Sequence, residues 1–210
     1  EKAADIAHEY ILARNSYKEF MFPQTEVVAT FEVKQHGINL TGKEIAPKET
    51  VIFGARPCEA ASLASLNAVF TWGFVDEFYT KREDKAIVMT VACTTGDEAC
   101  FCTTVDLSPE STAGSDVYLK ETTDGNYLVQ AISAKGTAFV EKYAAVFEEQ
   151  AGAKAKKLFM PEKITGINLA KIGEYLKNTG HYDDHVWAEL TRKCIGCGAC
   201  VYVCPTDALH

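Results

Sequence analysis

Eight cysteines carry the clearest chemistry in this 210-residue chain: Cys58, Cys93, Cys100, Cys102, Cys194, Cys197, Cys200 and Cys204. The last four lie in the run Cys194-Ile-Gly-Cys197-Gly-Ala-Cys200-Val-Tyr-Val-Cys204-Pro205, which fits C-x2-C-x2-C-x3-C-P at every position. That spacing is a ligand run for a 4Fe–4S cluster. Three thiolates set so close must wrap three corners of a cubane, so the backbone has to curl tightly around inorganic sulfide. Gly196 and Gly198 permit the curl and let backbone N–H groups approach the sulfurs. Pro205 then turns the chain away. Structural zinc more commonly uses two separated C-x2-C pairs. Cysteines this crowded cannot staple distant loops as disulfides.

Cys204 calls for separate treatment, because in two-cluster proteins the fourth cysteine of such a run ligates the neighbouring cluster. A second motif beyond His210 could complete that neighbour, another subunit could supply it, or Cys204 could close a local site. The expectation is that Cys194, Cys197 and Cys200 share one cluster. Cys204 then serves a further, third cluster whose other ligands lie beyond His210.

Cys58, Cys93, Cys100 and Cys102 form a second set. Cys58 follows a compact apolar strand, Thr50 to Gly54, through Ala55-Arg56-Pro57, and opens a helix carrying Leu63, Leu66, Val69 and Phe70. Cys93 follows a second buried strand, Ala86 to Ala92, and Cys100-Phe-Cys102 lies in the next loop. Two adjacent parallel strands would bring these loops to one sheet edge, where open α/β folds bind ligands. A helix N-terminus and Arg56 would supply positive potential beside an anionic cluster. Four unrelated cysteines acting as small hydrophobes fit the same spacing. Spacing alone leaves both readings open.

The elements that must position these residues read as an α/β layer domain (α+β overall) followed by a small ferredoxin-like iron–sulfur segment. The expected division is 1–150 for the α/β domain with its four-cysteine site, 151–193 for a helical linker, and 194–210 for a 4Fe–4S motif incomplete at its end. Before the strand–helix–strand unit, a short helix is expected over Ala3 to Arg14 and a strand over Val27 to Val33, turning at His36-Gly37. After it, Asp116 to Ile132 reads as a hairpin turning at Asp124-Gly-Asn126. One helix should carry Phe139, Val140, Tyr143, Ala144 and Phe147 on one face. A polar linker at Ala151 to Lys157 follows, then a helix after Pro161 burying Leu169, Ile172 and Leu176. A last helix, Asp183 to Thr191, should turn Trp187 and Leu190 inward. Tyr79, Trp72 and Trp187 read as core.

The net charge of −8 argues against nucleic-acid or anionic-membrane partners. No apolar run is long enough to cross a bilayer. No Gly-rich dinucleotide fingerprint, P-loop or G-x-S-x-G is present, so a standard nucleotide site is not expected. His181 and His185, flanking Asp183-Asp184, read as exposed loop residues rather than metal ligands.

Phe53-Gly-Ala-Arg-Pro-Cys58-Glu, Asp76-Glu-Phe-Tyr79 with Lys81-Arg82, then Cys93 and Cys100-Phe-Cys102, form a narrower signature. It resembles the family of iron–sulfur subunits found in anaerobic sulfite reductases and, as the beta subunit, in sulfhydrogenase-type nickel–iron hydrogenases. Phe20-Met-Phe-Pro23 and Val186-Trp187 fit as well. The resemblance implies a cytoplasmic, anaerobic electron-transfer subunit, itself non-catalytic. It would relay electrons between a flavin- and NAD(P)-binding subunit and a catalytic oxidoreductase subunit. It also implies one 4Fe–4S cluster on Cys58, Cys93, Cys100 and Cys102, so at least two clusters in all. Two rival readings are a stand-alone iron–sulfur enzyme with a substrate-facing cluster and a zinc-stabilised binding module.

Overall fold

A computed structural model describes residues 17–23, 25–96, 98–148, 152–198 and 200. The helix expected over Ala3 to Arg14, and Cys204, lie outside the described residues. Helix α1 (Lys18–Met21) comes first, then strands β1 (Ala29–Lys34), β2 (Gly37–Gly42) and β3 (Thr50–Ala55). Helices α2 (Pro57–Phe70) and α3 (Glu77–Lys85) lead into β4 (Ala86–Val91). The hairpin β5 (Val117–Glu121) and β6 (Tyr127–Ala131) follows, then α4 (Ala134–Lys142), α5 (Leu169–Lys177) and α6 (His185–Lys193). Short 3-10 turns cover Cys102–Val105, Ala144–Val146 and Thr179–His181.

The main sheet runs β3-β4-β5-β6, with β3–β4 and β4–β5 parallel and β5–β6 antiparallel. Helices cover both faces, which is why β4 is apolar at every position but Thr90 rather than alternating. Ala86 and Val88 face one core with Ile52, Ala60, Leu63, Leu66 and Tyr79. Met89 faces the other with Val117, Leu119, Phe139 and Val140. The α/β expectation holds, including the strand–helix–strand unit and the β5–β6 hairpin.

Helix α2 starts where Pro57 takes the first helical position, for which its fixed φ and missing N–H suit it. The Glu59 carboxylate accepts the Arg56 N–H at 2.9 Å, and the Tyr17 hydroxyl donates to the Glu59 carbonyl at 2.5 Å. Helix α3, which the sequence pattern does not announce, is a polar segment started by Asp76, whose carboxylate accepts the Tyr79 N–H at 3.0 Å. Tyr79 then stacks on Phe70 with centroids 4.5 Å apart. On the other face, buried Asp116 accepts the Val88 N–H at 2.9 Å and the Ser133 hydroxyl. Ser133 in turn caps α4 by accepting the Gly136 N–H at 3.0 Å.

Several expectations are corrected. Trp72 is 86% exposed rather than core, because α2 ends at Phe70 and the chain turns outward there. The helix expected to reach Phe147 ends at Lys142 and gives way to a 3-10 turn. Helices α5 and α6 form, but Leu169, Ile172, Leu176 and Leu190 on them are exposed, as is Trp187. Their amphipathic pattern fixes which face is apolar without fixing what covers it. Beyond the turn at His36-Gly37 the chain forms a full strand, β2, which pairs with β1 from Lys34↔Gly37 to Ala29↔Gly42.

Residues 152–164, expected in part as a linker, form a strap along the domain. The Thr123 N–H donates to the Lys154 carbonyl at 2.9 Å, and Lys156 N–H donates to the Glu121 carbonyl at 2.7 Å. Lys156 and Glu121 also form an ion pair, and Thr122 bridges Ala155. Backbone hydrogen bonds of this kind are indifferent to side chains, so composition alone could not reveal them. Among the described residues, no helix is long and apolar enough to cross a membrane.

Candidate metal centres

Parallel pairing of β3 with β4, from Thr50↔Ala86 onward, sends the loops after both strands to the same carboxyl edge. Cys58 sits there in the first turn of α2, and Cys93 lies just past the end of β4. Cys93 is fixed on both sides, its N–H donating to the Pro109 carbonyl at 3.0 Å and its carbonyl accepting the Phe159 N–H at 2.9 Å. Cys102 opens the 3-10 turn, and its carbonyl accepts the Leu107 N–H at 3.0 Å. Asp106 closes that turn in the left-handed region at φ 58°.

The strap reaches this edge. The Thr103 hydroxyl donates to the Pro161 carbonyl at 3.2 Å, and the Ile164 N–H donates to the buried Thr104 hydroxyl at 3.0 Å. Lys163 pairs with Asp106 at 3.4 Å. The loop carrying three of the four cysteines is therefore clamped from outside.

The electrostatics tie the four thiols together. Burial pushes the Cys93 thiol up to about 11, with the Arg56 guanidinium opposing the rise and Cys58, Cys102 and Cys100 each adding to it. Burial also pushes the Cys58 thiol up, helped by Glu59 and opposed by Arg56. Cys93 thus feels the other three thiols and the Arg56 guanidinium. Thiolates held there need a positive core to offset burial and mutual repulsion, which is what iron provides.

A second observation fits the same conclusion: the Tyr118 hydroxyl is buried and makes no hydrogen bond with any described residue. Among the described residues, no three His, Cys, Asp or Glu side chains are gathered so as to hold a metal ion. A four-iron core takes each thiolate on a different iron, so its ligands stand farther apart than those of a single ion.

Gly96 leads to a prediction. A methyl group there would stand 3.1 Å from the Cys100 sulfur and overlap the Phe159 ring. Gly96→Ala is expected to cost about 1–3 kcal/mol through overpacking and to lower iron retention at this edge. Thermal melts with iron analysis check it, and unchanged melting and iron content would refute it.

At the other end, α6 runs directly into its cysteines. Asp184 caps the helix by accepting the Val186 N–H at 3.2 Å. The Tyr175 hydroxyl donates to Asp184 at 2.6 Å. His185 pairs with Asp184 at 3.0 Å, the His181 ring stacks on Tyr175 at 3.9 Å, and Trp187 Nε1–H donates to the His181 carbonyl at 2.7 Å. Both histidines therefore serve this cap and its surroundings. The Cys194 N–H closes the helix onto the Leu190 and Thr191 carbonyls at 3.1 and 3.2 Å. Gly196 and Gly198 then take φ of 67° and 71°, a left-handed curl that favours glycine. The Gly196 N–H points at the Cys194 sulfur at 3.4 Å. Cys194, Cys197 and Cys200 are all exposed, and Arg192 and Lys193 in the last turn of α6 place positive charge beside them.

Sequence reasoning missed Gly96, Thr103, Thr104, Tyr118 and Phe159. The apolar run Leu158-Phe-Met160 after a polar stretch was the available signal for the strap. Tyr118 looked like any strand aromatic.

Comparison with known proteins agrees with the cysteine chemistry. A 4Fe–4S binding domain matches residues 191–210. The chain is 29% identical over 160 residues to the beta subunit of sulfhydrogenase 2 from Pyrococcus furiosus, a match covering 74% of this chain and 47% of that relative. It therefore spans about half the length of the curated relative it matches. No solved structure matches. The resemblance to hydrogenase beta-type iron–sulfur subunits, read from the cysteine signature, is borne out.

Proposed function

We propose that this chain, similar to a hydrogenase beta subunit and carrying a 4Fe–4S binding segment, is the electron-relay subunit of an oxidoreductase complex. It passes electrons between a flavin- and NAD(P)-binding subunit and a catalytic subunit, in the cytoplasm of an anaerobic cell. Cys58, Cys93, Cys100 and Cys102 hold one 4Fe–4S cluster. Cys194, Cys197 and Cys200 hold another, within the motif that also contains Cys204. The proposed division at 1–150, 151–193 and 194–210 puts one site in the first unit and the other in the last, with residues 152–164 strapped over the first. The observation that supports the reading is the emergence of Cys58 and Cys93 from two parallel strands at one sheet edge, with Cys100 and Cys102 in the following loop, in a chain that also matches a 4Fe–4S binding domain.

Each cluster, when bound, accepts and releases one electron. The protein's own work is to hold and insulate. The first turn of α2 and Arg56 present positive potential to the edge. The strap holds the cysteine loop through the Phe159 N–H on the Cys93 carbonyl and the Pro161 carbonyl on the Thr103 hydroxyl. The Gly196 N–H supports the Cys194 sulfur, and such donors favour the more negative state of a bound cluster. Exposure of the C-terminal cysteines suits transfer to a docked partner.

The test is anaerobic purification with iron and zinc analysis and a spectrum before and after dithionite. The visible absorption is expected to bleach on reduction. The isolated chain should show no NAD(P)H oxidation until a flavin-binding partner is added. A colourless zinc protein, or NADH oxidation by the chain alone, would overturn the proposal.

A further inference from the structure

The Tyr118 hydroxyl is one of two buried side-chain polar atoms without a hydrogen-bond partner among the described residues; the other is the Tyr79 hydroxyl. Burying a hydroxyl unpaired costs about 1–3 kcal/mol, so such a group asks for an account. Tyr118 lies on β5 opposite Thr90 of β4, and Thr90 stands three positions before Cys93. The neighbouring Ala92 N–H donates to the Leu119 carbonyl at 2.9 Å, so the chain passes from this pairing straight into the cysteine edge. Val117 and Leu119 face the α4 core. Tyr118, between them, faces the opposite side of the sheet, the side that carries α2.

No described residue accepts the phenol's hydrogen. The Glu110 carboxylate nearby is engaged by Lys120 at 3.0 Å, and the Ser115 hydroxyl donates to Thr90 at 2.7 Å. Burial first, then Glu110 and Cys93, push the Tyr118 phenol up to about 12; an ordinary phenol is already a donor at neutral pH.

We propose that Tyr118 donates a hydrogen bond to a sulfur of the cluster held by Cys58, Cys93, Cys100 and Cys102, and thereby raises that cluster's reduction potential. The inference rests on the cluster assignment above. Reduction adds negative charge to the cluster, so a donor aimed at a sulfur stabilises the reduced state more than the oxidised one. It is a positioning and tuning residue: electrons enter and leave without the phenol exchanging its proton. The orphan then gains its partner on loading.

The test is potentiometric titration of the loaded protein, monitored by electron paramagnetic resonance, for wild type, Tyr118→Phe and Tyr79→Phe. Tyr118→Phe is expected to lower the midpoint of one cluster, leaving iron content and the other cluster unchanged. Tyr79→Phe, which removes the orphan packed on Phe70, should move neither. In apoprotein, Tyr118→Phe should melt at or above the wild-type temperature, because it deletes an unpaired buried hydroxyl. A merely structural role predicts a lower melting temperature with no change of midpoint, and that result overturns the proposal.

Should Tyr118→Phe fail to load, wild-type protein made with 3-fluorotyrosine decides the matter. Its more acidic phenol donates more strongly, so the midpoint should rise, and an unmoved midpoint overturns the inference. If Cys58→Ala leaves iron content at the wild-type level, the cluster assignment itself has failed. Iron loss in Cys58→Ala together with an unmoved midpoint in Tyr118→Phe refutes only the tuning role.

Discussion

Changing Cys93 to serine is expected to remove one cluster of two, lowering iron content by about half. Cys93 has the best-fixed backbone of its set, held between the Pro109 carbonyl and the Phe159 N–H. A serine keeps those backbone bonds and nearly the same volume, so the fold should survive. What changes is the ligand: a hydroxyl is a much poorer partner for iron than a thiolate. The three remaining sulfurs, on Cys58, Cys100 and Cys102, leave one corner open to solvent and oxygen. Iron analysis and the resonance spectrum of the reduced protein check this, with the signal of the C-terminal cluster as internal reference. Wild-type iron content in Cys93→Ser would sink the assignment of all four residues.

Asp116→Ala is expected to produce the largest loss of stability. The carboxylate is buried, accepts the Val88 N–H and the Ser133 hydroxyl, and lies 3.7 Å from Lys135 Nζ. One side chain therefore ties β4, the start of β5 and the cap of α4. Its removal strands the buried Val88 N–H and takes the acceptor from the half-buried Ser133 hydroxyl, at a cost of roughly 2–4 kcal/mol. The melting temperature should fall by on the order of 10 °C. Lys135 is half-exposed and can turn to water, so its ion pair adds little. Asp116→Asn retains an acceptor and should lose less. A melting temperature within about 2 °C of wild type for the alanine variant would refute the role.

The sheet and its cysteine-bearing edge were legible because their signals are local. Thr50 to Gly54 and Ala86 to Ala92 are apolar runs of strand length, and Pro57 marks the helix start between them. Their placement then fixes where Cys58 and Cys93 emerge. Gly196 and Gly198 were legible too, since the cysteine spacing demands a curl that left-handed glycines supply. The strap over residues 152–164 left only the apolar run Leu158-Phe-Met160 as a sequence signal, because the main-chain N–H groups of Lys156, Phe159 and Ile164 that hold it leave no compositional trace. Strand β2 escaped for another reason: Gly37-Ile-Asn-Leu-Thr-Gly42 has two apolar residues and glycines at both ends. On α5, the apolar spacing of Leu169, Ile172 and Leu176 marks one face of the helix. Periodicity states that preference without naming a partner, so it could not tell an exposed stripe from a buried one.

The order of strands has a kinetic consequence. The β5–β6 hairpin closes over a short turn and can form within microseconds, whereas each parallel pairing must first close a crossover and so forms more slowly. The edge that gathers Cys58 and Cys93 depends on the slower steps. During synthesis and refolding, the thiols are therefore expected to emerge separately and to meet late, after the hairpin is in place. Before that moment the thiols stand apart, and oxidants find cysteines without their clamp.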